Sequence, residues 1–309
     1  MLYPQSSQSV LMVRPTSFGF DVETAKSNAF QNEPVVSDNT TLVRANDEFE
    51  KMVTTLTAYD IDVVVVEDSP VPQKPNAVFP NNWLSMWPDG HIFLYPMATQ
   101  SRRIERTDLA LNILKNRFVV NKITNLSDYE NQHRYLESTG VMIFNHQTKT
   151  AYGCLSIRCN AALFTMHAGR LQYEPIVFHA VDEADIPIYH TNVMMGVQSS
   201  TAVVCLEAVR DEKEKDQLRT SLENAGLTIV DITYRQMNSF CGNVLELHNP
   251  QGERFLALSQ TAYDAFTLEQ REILSLDKTL IPLAIPTIEL VGGGSVRCML
   301  AEIFLQKLS

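Results

Sequence analysis

The sequence predicts an α/β fold made of five strand–helix units of similar length that close on themselves in a ring. Two observations carry this expectation. Short apolar, strand-like runs alternate with helix-like stretches along the whole chain, with no low-complexity tract and no linker rich in Pro, Gly or Ser between them. In addition, a small or amide residue stands directly before a short apolar run five times: Asn82-Trp-Leu-Ser-Met, Gly140-Val-Met-Ile-Phe, Asn192-Val-Met-Met-Gly, Asn243-Val-Leu-Glu-Leu and Ser295-Val-Arg-Cys-Met. Successive starts lie 58, 52, 51 and 52 residues apart, the length of one supersecondary unit. Apolar runs recur in any α/β protein, but a set of equal units has to close if its sheets are to have no open edges. The strand starts then face a common axis. Asn82, Glu137, His190, Asn192 and Cys298 meet there although they are far apart in sequence.

Taken in order, strands are expected at Val10–Val13, Val63–Val66, Ile92–Tyr95, Ile176–Ala180, Thr228–Asp231, Phe255–Leu258 and Thr287–Val291, each a run rich in β-branched or large apolar residues. Helices are expected at Ala45–Tyr59, Ser101–Phe118, Arg158–Tyr173, Thr201–Ala225 and Thr261–Leu276, with a final turn region from Val296 onward. Gly226 is a suitable stop for the fourth of these, and its charged run Arg210-Asp-Glu-Lys-Glu-Lys-Asp reads as a solvated face.

Bulk properties bound the function. Residues 1–309 read as a single catalytic domain, with 45% hydrophobic and 20% charged residues, a globular balance. A formal net charge of −11 and the lack of any Lys/Arg run argue against a nucleic-acid partner, which needs clustered cations to neutralise phosphates. The start of the chain, MLYPQSSQSVLMVRP, lacks the basic region and apolar run of a secretory signal, and no stretch approaches the ~18 apolar residues that span a bilayer. The five cysteines, Cys154, Cys159, Cys205, Cys241 and Cys298, form no C-x-x-C pair, which fits free thiols in a reducing, cytoplasmic compartment. The histidines lack metal-ligand spacing, so no metal and no other cofactor is expected.

Cys298 carries the sharpest local signal. It follows Glu289-Leu-Val-Gly-Gly-Gly-Ser-Val-Arg, where a glycine triplet implies close backbone approach or positive φ. A cysteine near a helix start and beside Arg297 is a candidate thiolate, the ordinary alternative being a buried apolar Cys. The triplet is no phosphate loop, since the Lys-Ser/Thr ending and the G-x-G-x-x-G spacing are both missing. His190, in Ile186-Pro-Ile-Tyr-His-Thr-Asn, is a core histidine if alone and a proton carrier if paired with a reactive thiol. Glu137, just before the run at Gly140, is either a loop residue or the carboxylate that orients the imidazole or a substrate nitrogen.

Together with Phe79-Pro-Asn-Asn-Trp, Ser101-Arg-Arg-Ile-Glu, Leu136-Glu-Ser-Thr-Gly, Leu155-Ser-Ile-Arg and Gly242-Asn, these segments resemble the guanidino-group modifying superfamily. That group includes arginine deiminases, dimethylarginine hydrolases, amidinotransferases and succinylarginine dihydrolases. The chain is most similar to its citrulline-utilisation hydrolase branch, over nearly its whole length. The resemblance implies a five-bladed β/α propeller (pentein), with Cys298 as nucleophile, His190 as general acid/base and Glu137 as the positioning carboxylate. It also implies that Arg158, Arg102 and Arg103 grip a substrate α-carboxylate, for which a guanidinium fork is suited. Phe79 and Asn243 join the substrate-binding set.

Two departures bear on substrate. Family members that bind a guanidinium usually place aspartates where this chain has Asn82 and Asn192. A cation without a counter-charge is costly to bury, whereas an amide offers both donor and acceptor to a neutral ureido group. The expected substrate is therefore a small amino acid resembling citrulline, cleaved to ornithine, ammonia and carbon dioxide. An arginine-type deiminase, dihydrolase or amidinotransferase is the alternative enzyme, and a non-catalytic amino-acid binder the alternative class. A homo-oligomer is left open.

Overall fold

The computed structural model describes residues 3–308. Its strands are β1 (Ser9–Val13), β2 (Asp62–Val66), β3 (Leu84–Met86), β4 (His91–Leu94), β5 (Lys122–Asn125), β6 (Ile143–Asn145), β7 (Thr150–Cys154), β8 (Glu174–Phe178), β9 (Met195–Val197), β10 (Thr201–Val204), β11 (Thr228–Asp231), β12 (Leu245–His248), β13 (Arg254–Ser259), β14 (Thr279–Leu283) and β15 (Ala301–Ile303). Among the described residues they fall into five three-stranded mixed units of one topology. A short strand pairs antiparallel with a central one, which pairs parallel with a third, as in β3–β4–β5, β6–β7–β8, β9–β10–β11 and β12–β13–β14. The fifth unit joins the two ends of the chain, β15 pairing antiparallel with β1 and β1 parallel with β2. It meets the next unit through Ile303 opposite Met86.

A helix lies between the central and third strand of each unit, because a parallel pair needs a crossover. The longest, Asp38–Ala58, is capped by the Ser37 hydroxyl, which accepts from the Thr40 N–H. Its Ala45, Phe49, Met52 and Leu56 recur at helical spacing and pack on Val10 and Met12 of β1. Burying one such large side chain contributes about 1.5–3 kcal/mol. The charged helix Glu212–Asn224 buries only Leu218 and Leu222, one turn apart, in the core beside β8 and β11. No described helix is long and apolar enough to cross a membrane.

Several expected elements are corrected. Thr287–Val291 is not a strand but part of the helix Pro286–Gly292; Pro286 starts it, and Ile288 and Val291 share its buried face. A five-residue apolar run does not by itself separate strand from helix. The expected helix Thr201–Ala225 opens instead as β10, whose Ala202, Val203 and Val204 are fully buried between two partner strands. The stretch Ser101–Phe118 splits into Gln100–Arg103 and Asp108–Arg117, and Thr261–Leu276 into Gln260–Ala265 and Leu268–Leu274, the latter restarted by a capping box of Thr267 and Gln270. The fivefold motif is displaced too. Asn82, Gly140, Asn192 and Ser295 belong to or cap one helical turn, and the short strand follows that turn rather than the residue itself.

Gly153 on β7 lies under the Phe164 ring of the helix Ala161–Arg170, where a methyl group would overlap it. Gly153→Ala is expected to lower unfolding stability by about 1–3 kcal/mol, measured by denaturant titration, because neither the strand nor the packed ring can yield freely.

Candidate active site

The glycine triplet shapes the ground around Cys298. The helix Pro286–Gly292 ends at Gly293, whose φ of 62° is left-handed. A side chain on Gly292 or Gly294 would meet the Phe79 ring, with a Cβ at 2.7 Å and 2.9 Å respectively. The chain then turns through Ser295 into the single helical turn Val296–Met299, which holds Cys298. Its Sγ accepts from Asn192 Nδ2 at 3.3 Å and Asn243 Nδ2 at 3.2 Å. The Cys298 N–H lies 3.4 Å from Asn243 Oδ1, so that amide meets both backbone and sulfur of one residue. The expected helper Arg297 turns to Glu302 instead, at 3.8 Å. Burial pushes the thiols of Cys154, Cys205 and Cys241 up to about 12, which leaves them unreactive apolar residues.

Glu137 is fully buried and enters through a strained turn: Ser138 has a φ of 43° and is held by its hydroxyl to the Leu84 carbonyl at 2.9 Å. Its Oε2 lies 2.7 Å from His190 Nε2 and 3.3 Å from Arg158 Nη1, and Oε1 accepts from the Ala98 N–H at 2.9 Å. Burial opposes ionisation, but Arg158, His190 and Arg102 outweigh it and hold the carboxyl well below its usual range. His190 is depressed to about 4, by burial first and by Arg158 and Arg102 next, against the upward pull of Glu137. It is thus neutral near pH 7, with Nε2 donating to the carboxylate and Nδ1 left as an acceptor.

Cys298 and His190 line one tight cavity of about 20 Å³ with Thr24, Asn28, Asn76, Phe79, Asn82, Arg102, Arg158, Tyr189 and Gly292, Gly293 and Gly294. None of these residues carries a carboxylate. Arg158 donates to Ser27 Oγ at 2.7 Å, lies 5.0 Å from the Tyr189 ring, and keeps an unpartnered Nε. Asn82 and Asn192 are buried, with Asn82 Nδ2 and Asn192 Oδ1 unpartnered.

Two of the arginines expected to grip a substrate carboxylate are engaged by protein partners. Arg102 reaches the cavity, but Glu105 takes Nε and Nη2 at 2.9 Å and 2.8 Å, Asn82 Oδ1 takes Nη1 at 2.6 Å, and the Phe79 carbonyl takes Nη2 at 3.1 Å. No bidentate fork remains. Arg103 lies outside the cavity, bound to Glu130 at 3.3 Å and the Met97 carbonyl at 3.1 Å. Adjacent arginines in a short helix point to different sides, and Glu130 captures the second. Sequence reasoning missed Tyr189, whose hydroxyl donates to the Gly293 carbonyl at 3.0 Å, and the segment supplying Thr24 and Asn28. Tyr189 adjoins His190 and was within reach of the motif; Thr24 sits in the four-residue helix Val22–Ala25 and Asn28 in the turn after it, a segment with no pattern in the sequence.

The fold and this constellation place the chain in the guanidino-group modifying (pentein) superfamily, as a hydrolase of C–N bonds. Within it, the chain belongs to the family described as N,N dimethylarginine dimethylhydrolase, eukaryotic, whose model matches residues 14–305. No curated protein matches the sequence significantly. Among solved structures, it is similar to the N-terminal domain of ArgZ, a cyanobacterial arginine dihydrolase, in a substrate-bound cysteine-to-serine variant. The TM-score is 0.73 at 15% identity, covering 96% of this chain and 99% of that one. It spans only 40% of full-length ArgZ, at 14% identity, a TM-score of 0.73 and 95% of this chain. A dimethylarginine dimethylaminohydrolase carrying an S-methyl-L-thiocitrulline adduct matches with a TM-score of 0.64 at 12% identity, over 96% of this chain and 99% of that one.

The depressed imidazole has a direct signature. In labelled protein, the NMR titration of His190 is expected to have its midpoint near 4 rather than 6.5, and Glu137→Gln is expected to move it lower by removing the upward pull. Because the folded value lies below the unfolded one, the stability this group contributes is complete above pH 6.5 and is lost as pH falls towards 4.

Proposed function

We propose that this protein is a cysteine hydrolase that cleaves the ureido carbon of a citrulline-like amino acid through a covalent intermediate on Cys298. The five units are read as a closed five-bladed propeller forming one domain. Contacts between neighbouring units support this: Ile303 pairs with Met86, Asn243 donates to the Asn192 carbonyl at 3.0 Å, and the Cys298 N–H meets Asn243. The observation that carries the substrate reading is the cavity wall, which holds two arginines and a neutral histidine but no carboxylate. Glu137 stands behind it with both oxygens engaged. Such a wall suits a neutral head group and an anionic tail better than a cation.

In the proposed chemistry the Cys298 thiol gives its proton to His190 Nδ1 as sulfur adds to the ureido carbon, and that proton leaves with ammonia. The resulting thiocarbamate is hydrolysed by a water that His190 deprotonates. The free carbamate then loses carbon dioxide to give ornithine, and the thiol is restored. Glu137 stabilises the imidazolium formed in each half. Asn192 and Asn243 hold the sulfur in place, Asn82 meets the head group, and Phe79 closes the wall beside the glycines. Arg158, with its free Nε, is the cavity cation left to meet the α-carboxylate. The free thiols fit a cytoplasmic location, and the mechanism calls on neither metal nor cofactor.

A second reading is supported by the likeness to ArgZ, described as an arginine dihydrolase. Arginine would then be hydrolysed twice, the second round acting on a ureido group in the same site. An ammonia-release screen over citrulline, arginine, dimethylarginine, N-acyl arginines and agmatine, with product identification, separates the two. Turnover of citrulline to ornithine is expected. Activity on arginine or dimethylarginine with none on citrulline would overturn the ureido reading. Cys298→Ser should lower kcat by at least about 10³-fold while the protein stays folded by circular dichroism.

A further inference from the structure

Arg102 was expected to hold a substrate carboxylate, and its geometry suggests a different task. Its guanidinium has donors and no acceptor. Nη1 lies 2.6 Å from Asn82, so the atom facing it must be the amide oxygen, Oδ1. Arg102 is itself immobilised: Glu105 takes Nε and Nη2 in a two-point pair, and the Phe79 carbonyl takes a further Nη2 proton at 3.1 Å. Both side chains of the pair are almost wholly buried, at 3% and 1% exposure, so the ion pair is shielded from water and cannot easily rearrange. With Oδ1 committed, Asn82 Nδ2 is turned to the other side. There it has no partner and lies against Gly140, whose Cβ position is also 3.1 Å from the His190 ring.

We propose that the Arg102–Glu105 pair is a positioning device that locks the Asn82 amide with its N–H₂ towards the substrate, so that the site selects a head group presenting an acceptor. A ureido oxygen accepts from Nδ2. A guanidinium has only N–H groups at its edge and meets donor with donor, leaving both desolvated and unpaired. This inference rests on the ureido reading and names the residues that impose it. An asparagine free to rotate would serve either substrate; Arg102 removes that freedom.

The test measures binding of citrulline and of arginine by calorimetry in a Cys298→Ala background, where turnover does not interfere. With Arg102 and Glu105 intact, citrulline is expected to bind more tightly. In R102Q/E105Q, residue 102 can donate or accept, so the amide is no longer locked and the citrulline-to-arginine preference should fall about tenfold. Arg102→Lys, still a pure donor, should keep the preference within about threefold. If the double variant is unfolded, Asn82→Asp decides: one carboxylate oxygen stays on Arg102, the other faces the cavity as an acceptor, and the preference should invert towards arginine. A folded R102Q/E105Q with an unchanged ratio, or an Asn82→Asp protein that still prefers citrulline, overturns the lock alone. Tighter binding of arginine with the pair intact overturns the ureido reading and takes the lock with it.

Discussion

A carboxylate with no exposed surface must be met from every side, and Glu137 is the point on which the candidate site depends. Its oxygens are held by the Ala98 N–H before the helix Gln100–Arg103, by Arg158 after β7, and by His190 before β9. Three stretches of chain far apart in sequence are tied to one charge. Arg158 extends the tie to Ser27 in the N-terminal segment that covers the cavity. Removing any one partner would leave charge buried without compensation, which costs more than the pair itself contributes. The same arrangement keeps His190 in one tautomer, with Nε2 occupied and Nδ1 available.

The sulfur is held in a different way. Among the described residues no cation hydrogen-bonds to Cys298 Sγ; two amide N–H groups do, from Asn192 and Asn243. Both asparagines come from positions of the fivefold motif, as does Asn82. Each unit thus delivers a residue to the same end of its short strand, and the site is assembled from equivalent points of repeated structure. Amides suit such a place because each offers a donor and an acceptor without the desolvation cost of a charge. The charges that the wall carries, on Arg102 and Arg158, are paired with Glu105 and Glu137, which stand behind it.

Much of the layout was legible in advance because it rests on local chemistry or on period. Strands such as Thr228–Asp231 follow from β-branched runs, and the repeat of about fifty residues corresponds to five units of one topology among the described residues. Errors arose where tertiary burial overrode local signal. The run Thr201–Val204 has no helix breaker but is buried on both faces as a central strand, and Thr287–Val291 looks like a strand but follows a proline into a helix. In both cases the partner that decided the matter lies elsewhere in the chain, so no window of sequence contains it.

By itself the sequence determined which side chains were available for chemistry: one cysteine after a glycine triplet, a histidine two residues before an amide, and asparagines at 82, 192 and 243. These are statements of composition and spacing, and they hold whatever the fold. The tertiary structure alone decided how those groups are engaged. Arg102 and Arg103 are neighbours of the same type, yet one is locked onto Asn82 and the other is drawn outward by Glu130. Hydrogen-bond direction and burial depend on atoms within about 3 Å in space, and those atoms come from distant segments that only folding brings together.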